Sequence, residues 1–360
     1  MVPTSEDELA DMIRNVADPI AVRGGGTRGV FARGEVLTTS GLSGVTLYEP
    51  GALTLVVQAG TPLAEVEAVL AAAGQRLAFE PTDMRALLGT DGTPTIGGVV
   101  ATNASGPRRI QVGACRDHLL GVRFVDGAGN IIKNGGRVMK NVTGYDLVKL
   151  LAGAHGTLGV MSEVSLKVLP LPQAVATLSI AGLDADQALA AMSTALGSPY
   201  DVTGAAWVDG AAMVRLEGFS DSVSYRRDRL AEVLAPFGAV TAGEVDWSAV
   251  RDVRAFAGQP GDVWRVSIRP SAMPVTVAAL RGAGDVQIMA DWGGGLLWVL
   301  CDAGRDLRSS ITSGHAQRVR GANTDAIPRF HPEPAAIAAL SRGLRQRFDP
   351  RGVLNAGVMG

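Results

Sequence analysis

The residues of this chain best suited to chemistry are glycines, gathered in three short stretches. Val22-Arg-Gly-Gly-Gly-Thr-Arg-Gly29 lies near the start, Pro94-Thr-Ile-Gly-Gly-Val-Val-Ala-Thr-Asn103 follows, and Gly153-Ala-His-Gly-Thr-Leu-Gly159 comes later. Without a Cβ, glycine allows positive φ and close backbone approach, and successive N–H groups at such turns form a nest for anionic oxygens. A phosphate-bearing cofactor is the guest this pattern suits.

Conventional catalytic side chains are sparse. The four histidines, His118, His155, His315 and His331, are scattered and read as structural. Ser105, in Asn103-Ala-Ser-Gly106, has no base beside it in sequence and reads as a turn or cofactor-contact residue. There is no G-x-S-x-G elbow and no G-x-x-x-x-G-K-[ST] loop. Cys115-Arg-Asp-His118 has the spacing of half a metal site, but a structural zinc needs four ligands and no second pair lies nearby, so no metal is expected. Cys115 and Cys301 make no disulfide framework, which points to a reducing compartment, and two thiols are too few for a four-thiolate iron–sulfur cluster. No catalytic acid or base is assigned.

Gly24-Gly-Gly-Thr-Arg-Gly29 is a literal G-x-G-x-x-G, with Glu49 about where a ribose-binding acid would sit. A dinucleotide fingerprint must open a helix, however, and Val30 to Ser40 contains Gly34 and no apolar stripe of helical period. The loop therefore needs another scaffold.

That scaffold mixes strands and helices. Pro19–Arg23 and Leu53–Gln58 read as strands, and Gly60-Thr61-Pro62 starts a helix in which Leu63, Val66, Leu70 and Ala73 share a face up to Gly74. Leu119–Asp126 and Asn130–Lys133 flank Gly127-Ala-Gly129 as a hairpin; Asp146–Ala152 is a short helix and Gly159–Val168 a strand. Pro170 and Pro172 mark a boundary. Beyond it come an Ala-rich helix at 186–196, a helix near 225–234, and apolar strands at 211–217 and 296–300. All five tryptophans (207, 247, 264, 292 and 298) are here, as core or interface residues. A helix from Pro334 and the segment Phe348–Gly357 end the chain. The expected organisation is 1–172, 173–325 and a tail at 326–360 that returns to the first region.

With 360 residues, 47% of them hydrophobic and 19% charged, the chain is globular, and a net charge of -2 offers no field for nucleic acid. The start, Met1-Val-Pro-Thr-Ser-Glu-Asp-Glu, is acidic where a secretory signal is basic and then apolar, and no apolar run spans a bilayer. A cytoplasmic protein is expected, peripheral at the inner membrane if partners hold it there.

Val22–Thr27, Glu80-Pro-Thr82, Thr95–Asn103, Arg116–Gly121, Lys140-Asn-Val-Thr-Gly-Tyr-Asp-Leu147 and Gly156–Gly159, in this order, resemble the FAD-binding domain of the vanillyl-alcohol-oxidase and p-cresol-methylhydroxylase superfamily. Within it, Ser105-Gly-Pro-Arg-Arg109 and Arg137–Asp146 resemble the smaller FAD-binding subunits, the E subunits, of bacterial glycolate oxidases. The resemblance covers Ile20 to Pro172 and Phe348 to Gly357. It implies an α+β fold in which a two-subdomain, PCMH-type FAD-binding domain carries a smaller α+β cap.

By the same resemblance Gly24, Gly25, Gly26 and Thr27 wrap the FAD pyrophosphate, and Gly97, Gly98, Thr102, Asn103 and Gly106 line the cofactor's other side. Pro81 and Thr82 belong to the same set. Gly153, Gly156, Thr157 and Gly159, with backbone near Met161, border the adenine and ribose, and Asn355 returns from the tail. Lys140, Asn141, Tyr145 and Asp146 are expected to support the site, the last two through local hydrogen bonds. The first glycine loop lacks the histidine to which relatives attach flavin, so non-covalent FAD is expected. The chain also lacks the His-x-His motif of the larger 2-hydroxy-acid dehydrogenases. Arg108, Arg109 and Arg269 could anchor a carboxylate or be surface residues. The resemblance implies a subunit that oxidises glycolate, a small 2-hydroxy acid, to glyoxylate together with a larger FAD-binding subunit and an iron–sulfur subunit, through an interface on the tryptophan-bearing region. The alternatives are a non-catalytic assembly subunit and a stand-alone FAD-dependent hydroxy-acid dehydrogenase.

Overall fold

A computed structural model describes residues 1–29, 32–137, 144–321 and 327–359. The chain forms two compact units: Met1–Ser105, Gly113–Leu171 and Glu333–Gly360 make the first, and Gly106–Val112 with Pro172–Pro332 the second. The tail returns to the first unit, while seven residues from the middle of that unit's sequence belong to the second.

In the first unit, β1 (Ile20–Arg23) pairs in parallel with β2 (Glu35–Thr38), so the first glycine loop leads into a strand and not into a Rossmann helix. β3 (Val45–Glu49), β4 (Thr54–Gln58), β6 (Leu119–Val125), β7 (Ile131–Gly135) and β8 (Val160–Lys167) form an antiparallel sheet in the order β3-β4-β8-β6-β7. The short strands β5 (Gln75–Arg76) and β9 (Leu169–Pro170) pair beside it. The helix Leu63–Ala72 buries Leu63, Val66 and Leu70, the face its spacing marks out. Leu55, Val57, Val164 and Leu166 supply sheet residues to the same core.

The N-terminal helix Glu6–Asn15 is capped by Ser5, whose hydroxyl accepts from Glu8 N, and carries three acids in its first turn, opposite the positive end of the helix dipole. Its buried Leu9 and Ile13 join Ile20, Val353 and Leu354 in a second cluster. Arg351 ties the tail there by donating to Ile13 O and Gly127 O.

The second unit is one antiparallel sheet of eight strands: β10 (Ala174–Ile180), β11 (Val202–Val208), β12 (Ala211–Gly218), β13 (Val240–Gly243), β14 (Asp262–Ser267), β15 (Val286–Asp291), β16 (Leu296–Cys301) and β17 (His315–Arg320), in the order β13-β10-β12-β11-β15-β16-β14-β17. The helix Ala185–Leu196 starts at a capping box in which Asp184 accepts from Gln187 N and Gln187 accepts from Asp184 N. The antiparallel sheets and segregated helices are the expected α+β class. No helix among the described residues is long and apolar enough to cross a membrane.

The tryptophans correct one expectation. All five are at most 8% exposed, so they serve the second unit's core and cannot act as interface anchors. Trp207 donates to Leu183 O and Trp247 to Thr177 Oγ1, which satisfies their indole N–H groups inside. Lys140 and Asn141 lie outside the described residues. Asp146 caps the helix Leu147–Leu151, and Tyr145, 87% exposed, accepts from Asn134 Nδ2 and Leu147 N through its backbone carbonyl.

Candidate cofactor site

Backbone packing explains why the glycines occur where they do. A Cβ on Gly25 would lie 1.6 Å from Thr93 O, and one on Gly24 would lie 2.2 Å from Thr95 Oγ1. The first glycine loop thus rests directly on the 93–95 segment. Thr95 is also the N-cap of the helix Ile96–Ala101, accepting from Gly98 N at 3.2 Å. Gly97 donates to Ala59 O at 2.8 Å, where any side chain would intrude on Ala59. Gly26 differs: its φ is +70° and nothing lies within 4 Å of where a Cβ would point, so this residue faces open space.

These pieces line an open cleft within the first unit. Gly24, Gly25, Gly26 and Thr27 border it on one side, and Gly97, Gly98 and Thr102 on another. Gly156, Gly159 and Met161 come from the turn before β8 and from its start, and Asn355 arrives from the tail. Pro81, Thr82, Asn103, Gly153 and Thr157 do not line the cleft, and Gly106 belongs to the second unit. Asn103 instead accepts from Arg116 N at 2.9 Å, and Thr157 donates to Ala154 O at 2.7 Å.

Asn355 ties three segments together. Its Oδ1 accepts from Val22 N and its Nδ2 donates to His155 O, both at 2.7 Å, and its own N–H reaches Ile20 O at 3.1 Å. It is 3% exposed and has a φ of +44°, a left-handed conformation that asparagine tolerates better than most side chains.

Sequence reasoning missed several lining residues, notably Arg23, Arg28, Thr95 and His155. Arg23 and Arg28 flank the glycine triplet, and their positive charge beside an anion-binding loop was a readable signal. Thr95 could have been found as a helix cap. His155 lines the cleft with a φ of +52°, which no local pattern announced.

The backbone N–H groups of Gly24, Gly25 and Gly26 have no acceptor among the described residues. Three such donors beside two guanidiniums fit a diphosphate. Among the described residues the lining holds no carboxylate, thiol or phenol and has one imidazole, that of His155, so it can hold and orient a cofactor.

Other candidates resolve differently. Ser105 donates to Asn103 O and accepts from Cys115 N, the hydrogen bonding of a turn residue. His118 is buried 5.5 Å from the Phe79 ring, and His331 Nδ1 accepts from Ala316 N. Arg108 is neither a carboxylate anchor nor a surface residue: it is buried, pairs with Glu217 and donates to Gln111 Oε1. Arg269 is exposed.

A family model described as "FAD binding domain" matches residues 1–135. The glycolate oxidase subunit GlcE of Escherichia coli (strain K12) is 34% identical over 348 residues, spanning 95% of this chain and 92% of that protein. The chain belongs to this GlcE family. It is an FAD-dependent oxidoreductase chain with the PCMH-type FAD-binding fold. The glycolate oxidase subunit GlcD of Bacillus subtilis (strain 168) is 30% identical over 188 residues, 49% of this chain and 38% of that one. An alkyldihydroxyacetonephosphate synthase structure shares the fold, with a TM-score of 0.70 and 15% identity over 99% of this chain and 76% of its own.

Proposed function

We propose that this chain is the non-covalent FAD-binding subunit of a multi-subunit complex that oxidises glycolate, or a closely similar small 2-hydroxy acid, to the 2-oxo acid. The observation that carries the reading is the cleft: glycine stretches distant in sequence meet around it, with three acceptor-less N–H groups and two arginines. Gly24, Gly25, Gly26, Arg23 and Arg28 hold the diphosphate. Gly97, Gly98, Thr102, Gly156, Gly159 and Met161 give flat, close-approach walls for the rings, and Asn355 locks the tail against them. FAD, when bound, supplies the two-electron acceptor that no amino-acid side chain provides.

Non-covalent attachment follows from the first loop, where Gly24 to Thr27 include no imidazole, thiolate or phenolate to bond a flavin. Dependence on other subunits is supported by the GlcE relative, itself named a subunit, and by the scarcity of acid–base groups in the cleft. The partners in this reading are a larger FAD-binding subunit and an iron–sulfur subunit, because two cysteines cannot ligate a four-thiolate cluster. Through them a soluble chain sits at the inner face of the membrane.

Acid precipitation of the purified chain should release all yellow colour into the supernatant; colour in the pellet refutes non-covalent binding. Glycolate-dependent dye reduction should be absent from the chain alone and appear with both partner subunits. Turnover by the chain alone at the rate of the complex would show a stand-alone dehydrogenase instead.

A further inference from the structure

The C-terminal helix, Ala335–Phe348, leaves almost all of its surface uncovered. None of its 14 residues is buried. Only Ala338, Ser341, Arg345 and Phe348 are half-buried, and they make the face that meets the first unit: the Phe348 ring lies 6.1 Å from that of Phe124, and Arg345 donates to Met359 O at 2.8 Å. Beside that face Ile337, Leu340 and Leu344 stand at i, i+3 and i+7 as one apolar stripe, with Leu340 67% exposed. Single exposed apolar residues need no explanation, but a contiguous row on one helix marks an interaction surface. The helix contains three arginines and no acid. Arg347 lies one turn from Leu344 at the outer edge of the stripe, is exposed, and makes no hydrogen bond or ion pair among the described residues.

The same unit carries a surface of opposite sign. The N-terminal helix Glu6–Asn15 buries Leu9, Ala10 and Ile13, and its other side lines an open groove. Met1, Met12 and Val16 supply the apolar part of the groove, and Glu8, Asp11 and Glu35 its acids. Arg14 pairs with Asp11, and the Met1 amine lies 3.7 Å from Glu35. Glu8 has no such cation among the described residues: its carboxylate accepts from the N–H and hydroxyl of Thr4, at 2.7 and 2.8 Å, and both are neutral. The two surfaces are neighbours, because Arg351, just beyond the C-terminal helix, donates to the carbonyls of Ile13, Arg14 and Val16. No residue of the C-terminal helix lines the groove of its own chain.

We propose that the occupant of each surface is a second copy of this chain. The Ile337, Leu340 and Leu344 stripe of one copy seats in the groove of the other, against Met12 and Val16, and Arg347 meets Glu8. Apolar stripe then faces apolar groove, and the one cation at the edge of the stripe faces the one carboxylate of the groove that lacks a cation. Since the two surfaces lie side by side, the contact forms twice across a two-fold axis, the closed arrangement of self-complementary patches. The inference goes beyond the function proposed above and does not depend on it, as none of these residues lines the cofactor cleft.

A bilayer matches the helix less well. The stripe has no aromatic residue, and the exposed Ala336, Ala339 and Gly343 beside it suit close approach of another backbone.

The test is sedimentation equilibrium of the purified full-length chain from low to high micromolar concentration, with melting followed by circular dichroism for each variant. The wild-type chain should be a dimer at the upper end. Leu340→Gln should raise the dissociation constant about tenfold or more, because an apolar anchor is lost from both copies. It should melt as the dilute wild-type chain does, since Leu340 is exposed in the single chain. Arg347→Glu and Glu8→Arg should each weaken the dimer, and the double variant should return to within about threefold of wild type, because the pair is restored with its ends exchanged. Glu8→Gln keeps an acceptor for Thr4 and should weaken the dimer in the same direction. A wild-type chain that stays monomeric at high micromolar concentration, a dimer indifferent to Leu340→Gln, or a double variant no better than its singles overturns the proposal. Larger oligomers in place of a dimer, or a monomer that binds anionic phospholipid vesicles through the same stripe, overturn it equally.

Discussion

Replacing Asn355 by alanine tests whether the cofactor cleft depends on one side chain. The substitution removes the bonds to Val22 N and His155 O, both at 2.7 Å, and leaves those backbone groups to find other partners. A net value of about 1 to 1.5 kcal/mol for each bond gives about 2 to 3 kcal/mol. Holding alanine at a φ of +44° adds about 0.5 to 1 kcal/mol relative to asparagine. The sum is about 3 kcal/mol, which for a unit of between 150 and 250 residues corresponds to a fall in Tm of about 6 to 12 °C. Asn355→Asp should be similarly harmful, because a carboxylate would face the carbonyl of His155 where an amide now donates. The assay is thermal unfolding by circular dichroism, with flavin retention measured after gel filtration. An Asn355→Ala chain that melts within 2 °C of wild type and keeps its flavin refutes the view that this residue closes the cleft.

Arg108→Met removes the guanidinium paired with the buried Glu217, so the urea midpoint should fall by the equivalent of about 3 kcal/mol while flavin content is unchanged; an unmoved midpoint would show the pair to be dispensable. Burial opposes ionisation of Glu6, but hydrogen bonds from Arg123 and Ser162 outweigh it and hold the carboxyl below its ordinary 4.5. The stability it contributes is therefore present above pH 4.5 and lost as pH falls through the lower folded value, and Glu6→Gln should flatten Tm against pH on that acid side. Both cysteines are buried, and burial pushes both thiols up, Cys301 to about 11, so neither should react with a thiol reagent until the chain is unfolded. Labelling in native buffer would contradict that burial.

The Gly25→Asp substitution that an anion-binding loop suggests is a poorer test than it looks. Because Thr93 O lies 1.6 Å from any Cβ there, the change would disturb the scaffold as well as the ligand. Gly26 faces open space, but its φ of +70° would strain the backbone under any side chain.

Local pattern alone determined much of this protein. Apolar spacing marks the Leu63–Ala72 helix, alternating residues around Gly127-Ala-Gly129 mark the β6–β7 hairpin, and the Ala-rich run at 186–196 marks the helix Ala185–Leu196. The failure of a helix to follow Gly29 was equally legible, since the helical period is absent from the next ten residues. These are short-range properties, decided within one or two turns of chain.

What needed the tertiary structure is whatever joins distant residues. Asn355 meets Val22 across 333 positions, and that bond has no sequence signature. The tryptophans of the second region are as compatible with an interface as with a core until burial is known, and all five proved to be core. Arg108 and Arg109 are adjacent in sequence, yet one is neutralised inside by Glu217 and the other lies over Trp292. Residue type sets the charge each carries, but what that charge meets depends on which groups the fold brings within a few ångströms.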